Sequence, residues 1–136
     1  MNKIVKFEDL GNSEYQLTWD YQEVIFNKIL AIKALNKKAE SGKQETPNHL
    51  IFVEHPHVYT LGKSGSENNL LLGFTEMNKI KATFVKTNRG GDITYHGPGQ
   101  IVAYPIIDLE NFGIGLKEYI SKLEDVIIHT LKEYDI

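Results

Sequence analysis

RGGDITYHGPGQIVAYPIIDL, Arg89 to Leu109, is the densest unusual stretch of this 136-residue chain. Arg89 to Gln100 contains four glycines and the only arginine of the sequence, placed between two strand signals. Gly90 and Gly91 lack Cβ, accept positive φ and let the backbone approach an oxygen anion with its N–H groups. Arg89 can add a charge-assisted hydrogen bond, and His96 carries the side chain whose protonation moves most easily near neutral pH. Each has a plainer reading. A glycine pair between strands makes a turn or bulge, a histidine beside Pro-Gly serves packing, and an arginine makes a surface ion pair of little energetic value. The ordered string, rather than any member of it, points to a site.

Outward from this stretch, Gln100 to Leu109 reads as a strand in which Pro105 marks an edge or a bulge. Upstream, Ala82 to Lys86 alternates weakly as a strand, Leu50 to Val53 is a short apolar run of the buried-strand kind, and Val58 to Leu61 is a second such run. Pro56 interrupts pairing between the last two, and Gly62 to Glu67 reads as a loop. Two helices flank the strands. From Glu14 to about Lys38 the stripe is Leu17, Tyr21, Val24, Ile25, Ile29, Ile32 and Leu35, with Ser13 as N-cap and Lys28, Lys33, Lys37 and Lys38 on the solvated side. From Leu116 to Tyr134 it is Leu116, Tyr119, Ile120, Leu123, Val126, Ile127, Leu131 and Tyr134. Helix, several strands and helix predict an α/β or α+β fold. Without a repeat or composition shift, residues 1–136 read as one domain or part of one.

Composition narrows the function. A hydrophobic content of 41% with 24% charged residues is that of a folded protein. No apolar run approaches the roughly 20 residues of a membrane span. Met1 to Leu10 mixes charges into its apolar residues and has no h-region, so a cytoplasmic location is expected. A net charge of -3 with scattered lysines argues against nucleic acid. The chain contains no cysteine, which excludes a thiolate nucleophile or thiolate metal site among these residues. His55 and His57, two apart, lack a third ligand in an obvious pattern and are not read as a metal site.

Arg89 to Leu109 resembles the signature of the lipoyl(octanoyl) transferases, in which an Arg-Gly-Gly turn leads through Thr-Tyr-His and Gly-Pro-Gly-Gln to a Tyr-Pro strand. LIFVEHPHVYTLGK, Leu50 to Lys63, is similar to a second family segment, in the same order. The resemblance implies the biotin and lipoate protein ligase fold, an α/β domain with mixed sheets flanked by helices. It implies substrate contacts at Arg89, Gly90, Gly91, Asp92, Ile93, Thr94, Tyr95 and His96, with an apolar slot for the acyl tail. It also implies an activity: octanoyl is moved from octanoyl-acyl carrier protein to a lysine of lipoyl domains, those of 2-oxoacid dehydrogenase complexes and of the glycine cleavage H protein. No cofactor or metal is implied. The family's cysteine nucleophile and its lysine partner follow the second helix and have no counterpart here. The resemblance thus covers the whole chain but only the first half to two-thirds of the family's length, and a truncated portion of an enzyme, inactive alone, is expected. Two other readings stand beside it. One is a non-catalytic module that binds acyl carrier protein or a lipoyl domain. The other is an ATP-dependent lipoate or biotin ligase, disfavoured because those enzymes have a longer glycine turn.

Overall fold

The computed structural model describes residues 2–136. Its elements, in chain order, are β1 (Val5–Asn12), α1 (Tyr15–Lys38), β2 (Asn48–Glu54), β3 (Val58–Leu61), α2 (Phe74–Lys79), β4 (Thr83–Lys86), β5 (Ile93–His96), β6 (Ile101–Ile106) and α3 (Leu116–Lys132), with short 3-10 turns at Glu67–Asn69 and Leu109–Asn111. The expected mixed α/β architecture is present. One sheet has the order β1-β2-β6 and the other β4-β3-β5, each with one parallel and one antiparallel pairing.

The two sheets share one antiparallel ladder that breaks in the middle. β2 pairs with β6 up to Glu54↔Ile101, and β3 pairs with β5 from Val58↔His96. Between these rungs, His55, Pro56 and His57 face Gly97, Pro98, Gly99 and Gln100. One strand path therefore carries one residue more than the other, the local condition for a bulge and a bend. Pro56 and Pro98 have no N–H to give to a ladder, so both paths lose pairing at the same level. Gly99, at φ +84, turns the longer path, and its N–H donates to the Glu54 carboxylate at 2.9 Å. The pairing interruption expected at Pro56 thus proves to be the junction of two sheets.

Helix α1 covers the first sheet. Ile25 and Ile29 pack with Ile51 of β2 and Ile106 of β6, against which Leu10 and Tyr104 also lie. The buried line of this helix is Thr18, Ile25 and Ile29, whereas Leu17, Val24 and Leu35 of the expected stripe are exposed. Glu14, not Ser13, occupies the N-cap, without a side-chain cap bond. Ser13 instead donates its N–H to the Glu54 carbonyl and receives the Thr18 hydroxyl, tying the helix start to the end of β2. Strand β6 is an edge strand in its sheet, as Pro105 suggested. In α3 no residue is buried, and Leu116, Ile120, Leu123, Ile127 and Leu131 are exposed.

Lys33 is not on the solvated side. It donates to Asp108 at 2.7 Å and lies 3.0 Å from Glu110. Asp108 is buried and also accepts the Thr46 hydroxyl and the Glu110 N–H, while Asn111 donates to Thr46 and Asn48. Asp108 in turn gives its N–H to Asn48. This polar cluster locks the starts of β2 and of the segment after β6 to α1, and no buried side-chain polar atom among the described residues is left unsatisfied. Burial alone would push the Asp108 carboxyl up, but the bonds from Lys33, Thr46 and Glu110 together hold it below the usual carboxylate range.

Asp108→Ala leaves Lys33 with Glu110 alone and the buried Thr46 hydroxyl without its acceptor, and should cost about 1–3 kcal/mol of stability by urea unfolding. Because the Asp108 pKa is depressed on folding, its contribution is present above the unfolded value of about 3.9 and is lost as pH falls below it. The stability difference between the parent protein and Asp108→Asn should accordingly shrink in that acid range. His55 supplies a second test at higher pH. Burial, outweighing the opposing bond to Ser13, holds this imidazole below its ordinary value. A depressed histidine contributes stability above the unfolded value of about 6.5 and loses it as pH falls. Urea midpoints taken between pH 7.5 and 5.5, roughly bracketing that value, should fall more steeply for the parent protein than for His55→Gln.

Candidate functional site

The Arg89–Asp92 turn sits at the far end of β3, where β5 begins. Arg89 points inward: Nη2 donates to the Thr60 carbonyl at 3.0 Å, the Thr60 hydroxyl at 2.8 Å and the Asp92 carbonyl at 2.9 Å, and Nη1 donates to the Gly90 carbonyl at 2.8 Å. From the strand side, Gly62 N–H donates to the Asp92 carbonyl and Lys63 N–H to the Arg89 carbonyl. The turn's carbonyls at 89, 90 and 92 are thus all engaged. By contrast, the N–H groups of Gly90 and Gly91 donate to no acceptor among the described residues. Gly91 lies at φ +83, a conformation open to glycine. A further requirement falls on Gly62, where a Cβ would collide with the Gly90 and Gly91 carbonyls.

Asp92 faces its own loop. Its carboxylate accepts the N–H groups of Ile93 and Ser66 and the Asn69 side-chain amide, fastening the 65–69 loop to β5. The bond from Ile93, with those from Asn69 and Ser66, pulls the carboxyl below its ordinary range. Gly65 fits beneath it, since a Cβ there would meet the Asp92 carboxylate. The concavity adjoining the turn, between Leu61, Lys63, Ser66 and Thr87, is largely polar.

Beyond the turn, alternation along β5 divides the remaining candidates. Thr94 pairs with Thr60 and His96 with Val58, and both of those β3 residues are buried. Tyr95, opposite Tyr59, points to the other face, where its hydroxyl meets His57 Nδ1 at 2.6 Å. Gly97 makes room for that tyrosine, since a Cβ would strike its ring and hydroxyl. Of the string Arg89 to His96, the structure therefore brings Arg89 against Thr60 on β3, keeps Asp92 on the neighbouring loop and turns Tyr95 away from His96.

On the inner face, His96 belongs to a cluster that sequence reading missed. Its ring stacks on Tyr15 at 6.1 Å and meets His55 edge-on at 5.9 Å, while its Nδ1 lies 2.6 Å from the Gln100 side-chain oxygen. His55, fully buried at the break in the ladder, is fixed from both sides. Its Nδ1 meets the Ser13 carbonyl at 2.8 Å, so that nitrogen carries the proton, and its Nε2 accepts the Tyr104 hydroxyl at 2.9 Å. Burial raises the Tyr104 phenol strongly and, against the pull of Arg89, raises that of Tyr15. The cluster is therefore neutral at Tyr15, His55 and Tyr104. Tyr15 enters from the first turn of α1, a position that no local motif marks, and Tyr104 enters from β6. A signal was present for His55, Gln100 and Tyr104, which stand inside the two quoted segments.

Comparison with known proteins gives this geometry a family. The family model for the lipoyl protein ligase A/B catalytic domain matches residues 14–136. An octanoyltransferase of Flavobacterium psychrophilum is 57% identical over 136 residues, covering 100% of this chain and 58% of that relative. An octanoyltransferase of Flavobacterium johnsoniae is 54% identical with the same coverage, and one of Bacteroides fragilis is 48% identical over 122 residues, 90% of this chain and 52% of the relative. The chain thus spans a little over half the length of the curated relatives it matches. With the match running through α1, both sheets and α3, the chain belongs to the lipoyl protein ligase A/B catalytic domain family.

Proposed function

We propose that this chain forms the acyl-recognition part of a single-domain octanoyltransferase that moves octanoyl from octanoyl-acyl carrier protein to a lysine of lipoyl domains in the cytoplasm. The observation that carries the reading is the turn whose carbonyls at 89, 90 and 92 are tied inward while the N–H groups of Gly90 and Gly91 stay free among the described residues. Two adjacent donors held on a rigid backbone suit an oxygen that gains negative charge, as a thioester carbonyl does when attacked. Arg89 serves this arrangement through the backbone, since its guanidinium holds the carbonyls at 90 and 92. Thr94 and His96 extend the substrate contact along the inner face of β5, whereas Ile93 and Tyr95 alternate to the other face. In this reading the nucleophile is the family's cysteine, which is not among these 136 residues. Its thiolate takes the octanoyl group from the carrier thiol, and the lipoyl-domain amine then takes it from the enzyme thioester and loses a proton.

No helix among the described residues is long and apolar enough to cross a membrane, which accords with soluble carrier and lipoyl domains as partners. The names of the relatives favour transfer over ligation.

The direct test incubates the protein as its gene encodes it with octanoyl-acyl carrier protein and an unmodified lipoyl domain, and follows both by intact mass. An octanoylated lipoyl domain is expected, whereas lipoate-dependent pyrophosphate release without transfer would overturn the proposal. The 136 residues alone should give neither transfer nor an octanoyl adduct, because their hydroxyl groups are weak nucleophiles without an activating base. Gly91→Val addresses the turn itself. A β-branched residue resists φ +83, and its Cβ would crowd the Arg89 guanidinium at 3.2 Å. Transfer should drop roughly a hundredfold in the gene-encoded protein while the chain still folds, its unfolding midpoint lowered by a strain of about 1–3 kcal/mol, and normal transfer would remove the turn from the site.

A further inference from the structure

The inner-face cluster contains one nitrogen whose state the surrounding atoms set without using it. His96 Nδ1 lies 2.6 Å from Gln100 Oε1, and an amide oxygen only accepts, so the proton of the neutral imidazole resides on Nδ1. Nε2 is left with its lone pair and has no hydrogen-bond partner among the described residues. The ring is held on both sides, by Tyr15 stacked at an interplanar angle of 14° and by His55 at 63°. Its orientation is therefore set by packing, and its tautomer by one side chain.

Gln100 is held there by the bend in the ladder. It ends the four-residue path Gly97 to Gln100, its N–H donates to the Gly97 carbonyl at 3.1 Å, and Glu54 clamps the preceding Gly99 N–H. That closed turn brings residue 100 back to residue 96. A solvated neutral histidine side chain favours the proton on Nε2, so the Gln100 contact imposes the less common form.

We propose that Gln100 is a positioning residue which fixes His96 as the Nδ1–H tautomer, so that Nε2 faces substrate as a hydrogen-bond acceptor for an N–H group. The inference deepens the octanoyl-transfer reading, in which the acyl acceptor is an amine and the carrier arm contains amides. A His96 locked in the opposite tautomer would present a donor to those N–H groups and repel them. Tyr15 and His55, the titratable groups packed on the ring, are both held neutral and leave this polarity unchanged.

The test is nitrogen-15 NMR of the histidine side chains in the gene-encoded protein, with His96 assigned by the signal lost in His96→Asn. At the alkaline limit of the titration, a protonated Nδ1 and an unprotonated Nε2 are expected for His96. Gln100→Leu should move the proton to Nε2 and lower octanoyl transfer on the order of tenfold, while Gln100→Glu, which keeps an acceptor at the same place, should retain the Nδ1–H signature and recover most of the loss. An Nε2–H signal in the parent protein, or an unchanged tautomer in Gln100→Leu, overturns the assignment. The NMR readout needs no turnover, so a protein that shows the expected tautomer but transfers no octanoyl would refute the functional reading and leave the role of Gln100 toward His96 standing.

Discussion

A single broken antiparallel ladder sets where everything else in this molecule lies. Continuous pairing of β2–β3 with β5–β6 would give one long, twisted ribbon with no concave side. Three residues opposite four, with a proline in each path, make continuity impossible, and the ladder separates into two sheets at that level. The bend has a floor, the fully buried His55, and a clamp, the Glu54 carboxylate on Gly99 N–H. It also brings the start of α1 into contact with the break, because Ser13 donates its N–H to the Glu54 carbonyl and offers its own carbonyl to His55. Without those bonds Tyr15 would have no reason to lie on His96.

The two ends of β2 are stabilised by different chemistry, and the division suits their tasks. At its start, Thr46, Asn48, Asp108 and Asn111 form a saturated polar cluster closed by Lys33, with every buried atom paired. Such a network favours one arrangement because a shifted one leaves buried groups unsatisfied. At its end, aromatic and imidazole rings pack at centroid distances of 5.2 to 6.1 Å, with few hydrogen bonds and one free ring nitrogen. Each buried polar side-chain atom of that network already has a partner, whereas His96 Nε2 at the other end has none among the described residues.

Much of this could be read from the sequence, and the parts that could not have physical reasons. The strands β2, β3, β4 and β6 and both long helices announced themselves as apolar runs, alternation or helical stripes, although in α3 the stripe is not buried. Strand β1 left none: Lys6, Glu8 and Asp9 interrupt it, and it is held by backbone pairing to β2 and by Phe7 against Phe52 rather than by a buried face. The stripe of α1 was right at Ile25 and Ile29 but took in the exposed Leu17, Val24 and Leu35 and missed Thr18, a buried polar residue that a hydrophobicity pattern passes over. At the site, the Arg-Gly-Gly turn and His96 were legible as a local string. His55 and Tyr104 stood within the quoted segments, but their meeting with each other and with Tyr15 was not legible, since it spans sequence separations that only the bend closes.

The neutrality of that cluster is forced rather than incidental. His55 has a carbonyl on one nitrogen and a phenol on the other, and no carboxylate touches it, so a second proton would have to displace the Tyr104 hydroxyl and remain charged in a dry place. His96, 5.9 Å away, adds to the cost, because a charge on either ring disfavours a charge on its neighbour. Arg89, bound to Thr60 and to the turn's own carbonyls, pulls on Tyr15 without overcoming the upward shift that burial imposes. The break thus places the neutral Tyr15, His55 and Tyr104 beside His96, while the N–H pair at the turn offers positive polarity. Under the octanoyl transfer proposed above, that N–H pair is suited to the thioester carbonyl oxygen, the atom of the acyl group that gains negative charge on attack.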